Sequence, residues 1–403
     1  MKKILIITSM DRCTRILLRT TLFESLKKEY EIIIASPAER SQQWKDDFKD
    51  VTFFSSYLRS DSNIKDAMKM LDLSAIISCS NTDVPVHSFD VNFQRVAKGL
   101  DIPIIIVQDF IDAIFHPMVV EPDLYLCWGD FFKRMFSRKR DVMCWDSLGS
   151  LLNNYIEEPI NNIKVCGVPH FDVYKNNILS DRNEFIDTYN LKYDKPIFTY
   201  LPNGELSKWV FDTFDNFMQT ADKFNAQVII KTHPVRYEDN WIYELITKNY
   251  KNVDVHVFTE PSASKGKAFG VKDYNNSMYR FDDNDQLVLG DILKNSDIFC
   301  SIPSTTAIEA FIFNKPVVME TSYWNHPNKV RENVMKWYWN LLYSYNCCDI
   351  NVVNTELINM INDNINNPDK YMDGRKHIVQ DFFNGAQGDA CQNMLNAIKE
   401  FLG

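Results

Sequence analysis

The sequence lacks the hallmarks of several protein classes. Its nine cysteines form no Cys-x-x-Cys pair and have no regular spacing, which disfavours a zinc ribbon or a disulfide framework and favours a reducing, cytoplasmic compartment. No apolar run reaches the roughly eighteen residues that a membrane-spanning helix needs. The apolar run in residues 1–12 is also too short for a signal peptide and lacks a small-residue cleavage site, so we expect a first buried strand there.

Positive charge is also scarce. The formal net charge is −10 and the isoelectric point is near 5.3, which disfavours nucleic acid as a partner because backbone phosphates are bound by accumulated Lys and Arg. The exception is the run FFKRMFSRKR at residues 131–140, which mixes aromatic and basic side chains. Such a run suits either a solvated helix face or peripheral contact with the anionic inner face of a membrane.

What is present is a repeated pattern of apolar runs and helical segments. At 403 residues and 45% hydrophobic content the chain suits two globular domains. Continuous Ile, Val and Leu runs between helical stretches are typical of parallel sheets covered on both faces, so the predicted class is α/β. The runs are KILIITS, YEIIIAS, SAIISCS, IPIIIVQ and DLYLCWG, then KPIFTYLPNG, QVIIKTHP, VDVHVF and DIFCSIPS.

Two polar clusters follow buried strands in the second half. Residues 297–320 read as a strand, a Ser/Thr turn at Ser304, a helix and a second strand, and the run VIIKTHP delivers Lys231 and His233. The carboxyl ends of parallel strands share one edge of a sheet, and the start of a helix presents N–H groups to an anion. The pattern therefore predicts a phosphate site. A Ser/Thr turn that serves only as a helix N-cap is the structural alternative.

These motifs resemble those of glycosyltransferases of the GT-B architecture. The segments KTHP, PSTTAIEA and FNKPVVM are similar to the His-Pro, Ser-x-x-Glu-Ala and Gly-Lys-Pro motifs of that superfamily, and GVPHFDV and FFNGAQGDA are similar to segments of bacterial surface-polymer transferases. The resemblance extends to CDP-glycerol glycerophosphotransferases, to sialyl- and Kdo-transferases and to UDP-GlcNAc 2-epimerases. The chain departs from the pattern at His170, where Arg is usual, at Asn314, where Gly is usual, and at Gln387, where Asp is usual.

The resemblance implies two Rossmann-like domains whose parallel sheets face an interdomain cleft. Residues 1–175 are expected to form the acceptor domain and residues 176–375 the nucleotide-donor domain, while residues 376–403 form a helix that packs back toward the first domain. It implies no metal and no cofactor, with a CMP-, CDP- or UDP-linked sugar as the donor substrate. The implied donor-binding residues are Asn203, Gly204, Lys231, His233, Pro234, Ser304, Thr305, Thr306 and Glu309, with His233 also catalytic and Glu309 on the ribose.

The acceptor hydroxyl needs a general base, which we expect from the first domain. The candidates that follow predicted strands are Asp11, Asp83, His87, Asp109, Asp112 and His116. Asp109 and Asp112 are favoured because the strand before them is the most clearly buried, although helix capping explains them equally well. Arg12 and Arg15 suit an anionic group of the substrate.

The sequence thus predicts a metal-independent transferase that moves a sugar from a nucleotide donor to a glycan or lipid-linked glycan of the cell surface. Direct attack by the acceptor implies inversion at the anomeric carbon. Three alternatives stay open: a CDP-glycerol glycerophosphotransferase, a UDP-GlcNAc 2-epimerase that needs no acceptor, and a non-catalytic protein that binds nucleotide sugars.

Overall fold

The apolar runs build two separate parallel sheets. A computed structural model of the chain describes residues 1–8, 11–37, 48, 51–56, 61–79, 88–115, 118–145, 151–175, 178–202, 208–232, 240–258, 283–302, 304–320, 329–351 and 356–403. The chain divides into a first unit, Met1–Asp172 with Asp381–Gly403, and a second unit, Val173–Gln380. The sequence prediction placed the corresponding boundaries after residues 175 and 375.

The first unit is built on a seven-stranded sheet. Its strands are β1 (Lys3–Ile7), β2 (Glu31–Pro37), β3 (Thr52–Ser56), β4 (Ala75–Ser78), β5 (Ile104–Val107), β6 (Leu124–Cys127) and β9 (Ile163–Val165), with an antiparallel pair, β7 (Arg140–Trp145) and β8 (Leu151–Glu157), beside it. Its helices are α1 (Asp11–Leu17), α2 (Thr21–Glu29), α3 (Asp61–Leu71), α4 (Ser88–Lys98), α5 (Asp130–Phe136) and the C-terminal α14 (Ala390–Leu402).

The strand order in this sheet is β3-β2-β1-β4-β5-β6-β9, and every pair is parallel. This is the doubly wound order, with its topological switch point between β1 and β4. The inner strands are short and mainly apolar; β5, for example, is IIIV and is buried throughout. Helices α1, α2 and α14 pack on one face, where Met394, Leu395 and Ile398 of α14 join the core.

The second unit is built on a six-stranded sheet. Its strands are β10 (Ile197–Leu201), β11 (Gln227–Lys231), β12 (Asp254–Phe258), β13 (Ile298–Ser301), β14 (Val317–Glu320) and β15 (Asp349–Asn351). Its helices are α6 (Arg182–Thr188), α7 (Lys208–Lys223), α8 (Asn240–Thr247), α9 (Asp283–Asn295), α10 (Thr305–Ile312), α11 (Lys329–Tyr345), α12 (Leu357–Asn366) and α13 (Met372–Phe383), whose last residues belong to the first unit.

The second sheet repeats the doubly wound order. It runs β12-β11-β10-β13-β14-β15, all parallel, with the switch point between β10 and β13. The predicted α/β class with two Rossmann-like parallel sheets is confirmed. The apolar runs correspond to strands as predicted, whereas β3, β15 and the antiparallel pair β7–β8 were not predicted.

The segment that resembles a transferase motif, GVPHFDV, fastens α14 to the first unit. Gly167 has a φ of +91°, and a Cβ there would lie 2.9 Å from the Cβ of Ala390, so glycine is required on both counts. The carboxylate of Asp172 accepts hydrogen bonds from the backbone N–H of Ala390 at 3.0 Å and of Cys391 at 2.9 Å. Asp172 therefore caps the start of α14 from a distant part of the chain.

We predict that Asp172→Asn lowers the free energy of unfolding by about 1–2 kcal/mol, because an amide cannot accept both backbone hydrogen bonds. Urea denaturation measures the change. Asp66→Asn, at an exposed position of α3, is the matched control and should change stability by less than about 0.5 kcal/mol. Equal stability of the two variants contradicts the capping role.

Candidate functional site

Polar residues gather at the carboxyl edge of the second sheet, around its switch point. The register pairs Leu201 of β10 with Ser301 of β13, and Tyr200 with Ile230, so that β10, β11 and β13 end level with one another. The buried Ser301 hydroxyl contacts the Leu201 carbonyl oxygen at 3.3 Å and the Ile302 carbonyl oxygen at 2.7 Å. This is the edge at which open α/β sheets bind ligands.

Helix α10 starts at this edge, and Ser304 is its N-cap. The Ser304 Oγ accepts a hydrogen bond from the Ala307 backbone N–H at 3.3 Å, as the structural alternative predicted. The Ser304 carbonyl oxygen accepts a 2.6 Å hydrogen bond from the hydroxyl of Tyr338, so the turn is held from two sides. Thr305 and Thr306, both half-buried, begin the helix. The first N–H groups of α10 therefore point out of the edge of the sheet.

Lys231 is the last residue of β11, which pairs with β10 on the side opposite to β13. Its side chain is only 5% exposed, and its Nζ donates to the Thr232 carbonyl oxygen at 3.2 Å. With strands spaced about 4.8 Å apart, the backbones of Lys231 and Ser301 lie on the order of 10 Å apart.

Glu309, predicted to hold a ribose, lies in the middle of α10. It is 3% exposed, and its Oε2 accepts a hydrogen bond from the Tyr174 hydroxyl at 2.7 Å. Sequence reasoning did not associate Tyr174 with this site, because the two residues are far apart in the chain.

Several predicted residues lie outside the described part of the structure. For the donor site these are Asn203, Gly204, His233 and Pro234, and for the base Asp83, His87 and His116. Asp112 lies in a 3-10 turn, Ile111–Phe115, and Asp11 and Arg12 lie at the start of α1, but their side chains are outside the described structure. Their roles stay predictions.

Asp109, a favoured base candidate, lies at the carboxyl edge of the first sheet. It is 4% exposed, and Cys13 Sγ lies 3.9 Å from its Oδ2. The preceding residue, Gln108, is locked to Trp128: its Oε1 accepts from the Trp128 backbone N–H at 3.1 Å, and its carbonyl oxygen accepts from the indole Nε1 at 2.7 Å. The turn that carries Asp109 is therefore rigidly held.

His170 lies after β9, at the same edge, with its ring 6.5 Å from that of Trp128. Burial, followed by the charge of Arg15, lowers the pKa of His170 well below its ordinary value, so the imidazole is neutral. Its Nδ1 is buried and makes no hydrogen bond within the described structure. Arg15, which the sequence analysis assigned to an anionic group, is thus close to a neutral imidazole.

The second sheet also carries a buried acid that the sequence analysis missed. Glu320, the last residue of β14, accepts hydrogen bonds from both the Asn351 amide, at 3.2 and 3.0 Å, and the Cys300 thiol, at 3.5 Å. Burial raises the pKa of Glu320 to about 7, against the lowering effect of these two donors. The feature of the sequence that could have indicated this buried acid is the position of Glu320 at the end of the apolar strand VVME.

Three of the five basic side chains in residues 131–140 form ion pairs. Arg134 pairs with Asp381 at 2.6 Å, Lys139 pairs with Glu158 at 2.8 Å, and the buried Arg140 pairs with Glu157. These ion pairs weaken the attraction to anionic lipid on which the predicted membrane contact depends. Within the described ranges, no helix is both long and apolar enough to cross a membrane, and no cluster of three or more His, Cys, Asp or Glu side chains is arranged to hold a metal.

Comparison with known proteins identifies the architecture. The sequence matches no protein-family model and no curated protein. A glycosyltransferase from Rickettsia africae has a TM-score of 0.59 at 14% identity, with 100% of this chain and 98% of that chain covered. A UDP-GlcNAc 2-epimerase from Neisseria meningitidis, bound to UDP-GlcNAc, has a TM-score of 0.59 at 11% identity, covering 99% and 100%. The chain has the GT-B fold.

The wall teichoic acid polymerase TagF, in a variant soaked with CDPG, is a third similar structure, with a TM-score of 0.55 at 13% identity, covering 99% of this chain and 88% of that chain. The resemblance drawn from the motifs is therefore confirmed at the level of the fold. GT-B neighbours with three different activities show that the fold alone does not select the reaction.

We predict that stability falls as the pH rises from about 4.5 to about 7, because folded Glu320 retains a proton that the unfolded chain has lost. The loss attributable to this group is on the order of 3 kcal/mol. The side chain of Glu320→Gln stays neutral throughout this range. The free energy of unfolding of the variant minus that of wild type should therefore increase by that amount between the two pH values, as measured by urea denaturation at each pH. Glu356→Gln, at an exposed position, is the control; parallel pH profiles for wild type and Glu320→Gln contradict the prediction.

Proposed function

We propose that the protein is a glycosyltransferase that moves a sugar from a nucleotide donor to a glycan or lipid-linked glycan of the cell envelope. The observation that carries this proposal is the edge at the second switch point, where Lys231, Ser301 and the start of α10 converge on the carboxyl ends of three level strands. The GT-B neighbours that bind UDP-GlcNAc or CDPG support it.

The leaving nucleotide develops negative charge as the bond to the sugar breaks, and that charge must be neutralised. In this proposal the N–H groups and hydroxyls of Ser304, Thr305 and Thr306 bind the donor phosphate, while Lys231 and His233 supply a positive charge and a proton. Asn203, Gly204 and Pro234 line the donor site, and Glu309 holds the ribose. Protein groups thus provide the charge that a metal ion supplies in other transferases.

The first unit supplies the acceptor chemistry. Asp109 takes the proton of the attacking hydroxyl, and the rigid Gln108–Trp128 pair keeps its position fixed. The oxygen of the acceptor then bonds to the anomeric carbon as the bond to phosphate breaks on the opposite side, so the configuration inverts. Asp112 is the alternative base.

A second candidate function is 2-epimerisation of a UDP-sugar, because UDP-GlcNAc 2-epimerases are among the similar structures. A glycerophosphotransferase is favoured in the same way by the polymerase soaked with CDPG. Mass spectrometry of the products distinguishes them: conversion of UDP-GlcNAc without acceptor indicates an epimerase, glycerol phosphate on the acceptor indicates a phosphotransferase, and transferred sugar indicates a glycosyltransferase.

Nucleotide binding tests the proposal directly. Among CMP, CDP, UDP, GDP and dTDP, we expect one to raise the melting temperature, with and without EDTA, because a ligand that binds only the folded state stabilises it. His233→Ala should abolish that shift and lower turnover by about 100-fold or more. The control substitution His256→Ala, on β12, should retain both the nucleotide-induced shift in melting temperature and the wild-type turnover. The absence of a shift with every nucleotide contradicts the proposal.

We further expect Asp109→Asn to lower the turnover number by about 100- to 10,000-fold, because general-base catalysis is lost, while leaving the affinity for the nucleotide unchanged. Steady-state kinetics and calorimetry on the same preparation separate the two effects. Wild-type turnover in Asp109→Asn rules this residue out and leaves Asp112 as the candidate.

A further inference from the structure

Glu320 is a buried acid at the same edge of the second sheet as the candidate donor site. The register pairs Met319 of β14 with Ser301 of β13, so Glu320 lies one residue beyond the level of Ser301 on the neighbouring strand. Ser304, the N-cap of α10, follows closely after Ser301 in the chain. With strands spaced about 4.8 Å apart, the backbone of Glu320 and the start of α10 lie on the order of 10 Å apart.

The carboxyl group of Glu320 has neutral polar partners. Glu320 is 2% exposed, and its side chain lies between Cys300 of β13 and Asn351 of β15, which donate the hydrogen bonds described above. Among the residues that the structure describes, no Lys, Arg or His pairs with Glu320 or shifts its pKa. In these surroundings an ionised Glu320 is a buried negative charge that only neutral donors stabilise.

The charged groups on the elements that pack against β14 are accounted for by other interactions. On β15 the carboxylate of Asp349 pairs with Lys370 at 3.3 Å, and on α12 Asp363 pairs with the same Lys370 at 2.7 Å. Glu356, at the start of α12, is exposed. On β13 burial raises the pKa of the Cys300 thiol well above its ordinary value, so this thiol stays a neutral donor.

A nucleotide phosphate at the start of α10 brings negative charge close to this acid. At about 10 Å and an effective dielectric constant of about 20, one unit charge at each position changes the affinity by about tenfold. The coupling is reciprocal, so a bound nucleotide favours protonated Glu320 by the same factor. Burial already raises the pKa of Glu320 to about 7, and the bound phosphate raises this pKa further.

We propose that binding of the nucleotide donor is coupled to the uptake of a proton by Glu320, so that the protein binds the donor more tightly in mildly acidic than in mildly alkaline solution. The inference rests on the proposed function, in which the start of α10 binds the donor phosphate. No bond of the donor is made or broken in this step. A proton passes from the solvent to the carboxylate and cancels its charge.

Isothermal titration calorimetry measures both the affinity and the proton. CMP, CDP, UDP, GDP and dTDP are each titrated into the intact protein at pH 6, 7.5 and 8, in two buffers of different ionisation enthalpy. For the nucleotide that binds, the Kd of wild type should rise from pH 6 to pH 8 by about 5-fold more than the Kd of Glu320→Gln, whose side chain is neutral throughout. At pH 7.5 wild type should take up about 0.5 proton more than this variant.

The comparison with Glu320→Gln isolates the contribution of this one acid. The imidazole of His233 and the phosphate of the nucleotide are also expected to titrate near this pH range. Both do so alike in wild type and in the variant, so the difference between the two proteins removes their effects.

Two further variants make the result specific. Asn351→Leu removes a donor that stabilises the carboxylate, so the fall in affinity should move to higher pH; this variant also keeps the test available if Glu320→Gln does not fold. Glu356→Gln, at an exposed position, is the matched control and should keep both the pH profile and the proton uptake of wild type. Melting temperatures verify that each variant is folded.

The outcomes separate the inference from the proposed function. Equal proton uptake and parallel pH profiles for wild type and Glu320→Gln overturn the inference while the proposed nucleotide site stands. A fall in affinity that stays at the same pH in Asn351→Leu also overturns it. Failure of wild type to bind any of the five nucleotides at any of these pH values contradicts the proposed function, and the inference with it.

Discussion

The level register of β10 with β11 and β13 is the constraint on which the candidate site depends. Each of these strands ends at the same height, so the residues that follow them share one edge without any further interaction. The hydroxyl of Ser301 reinforces this by contacting the Leu201 carbonyl oxygen across the switch point. Helix α10 can then start directly above the edge, with Ser304 satisfying one of its first N–H groups.

Local patterns in the sequence predicted the inner strands and the strand–turn–helix at Ser304, because those features depend on neighbours in the chain. These patterns did not predict β15, which has only the three residues DIN, or β8, whose sequence LLNNYIE is not typical of a buried strand. They also missed contacts between distant residues, such as Tyr174 with Glu309 and Asn351 with Glu320, which exist only once helices and strands have packed. A local pattern identifies what a residue can do, whereas packing decides which group it meets.

The segment from Gly167 to Tyr174 shows this difference well. Its sequence resembles a segment of bacterial surface-polymer transferases. In the structure Asp172 caps α14 within the first unit, while within the second unit Tyr174 bonds Glu309 on the helix that starts at the candidate donor site. The residues of this short segment therefore hold other elements in place, and the groups that they support are not their neighbours in sequence.

The core of the first unit includes α14, which follows the whole second unit in the chain and supplies Met394, Leu395 and Ile398. During synthesis, the strands of that unit leave the ribosome first, then the whole of the second unit, and α14 last. At about 5–20 residues per second, the roughly 200 intervening residues take about 10 to 40 s to emerge. For that time one apolar face of the first sheet lacks its final helix, so the core side chains that Met394, Leu395 and Ile398 contact in the folded unit stay uncovered.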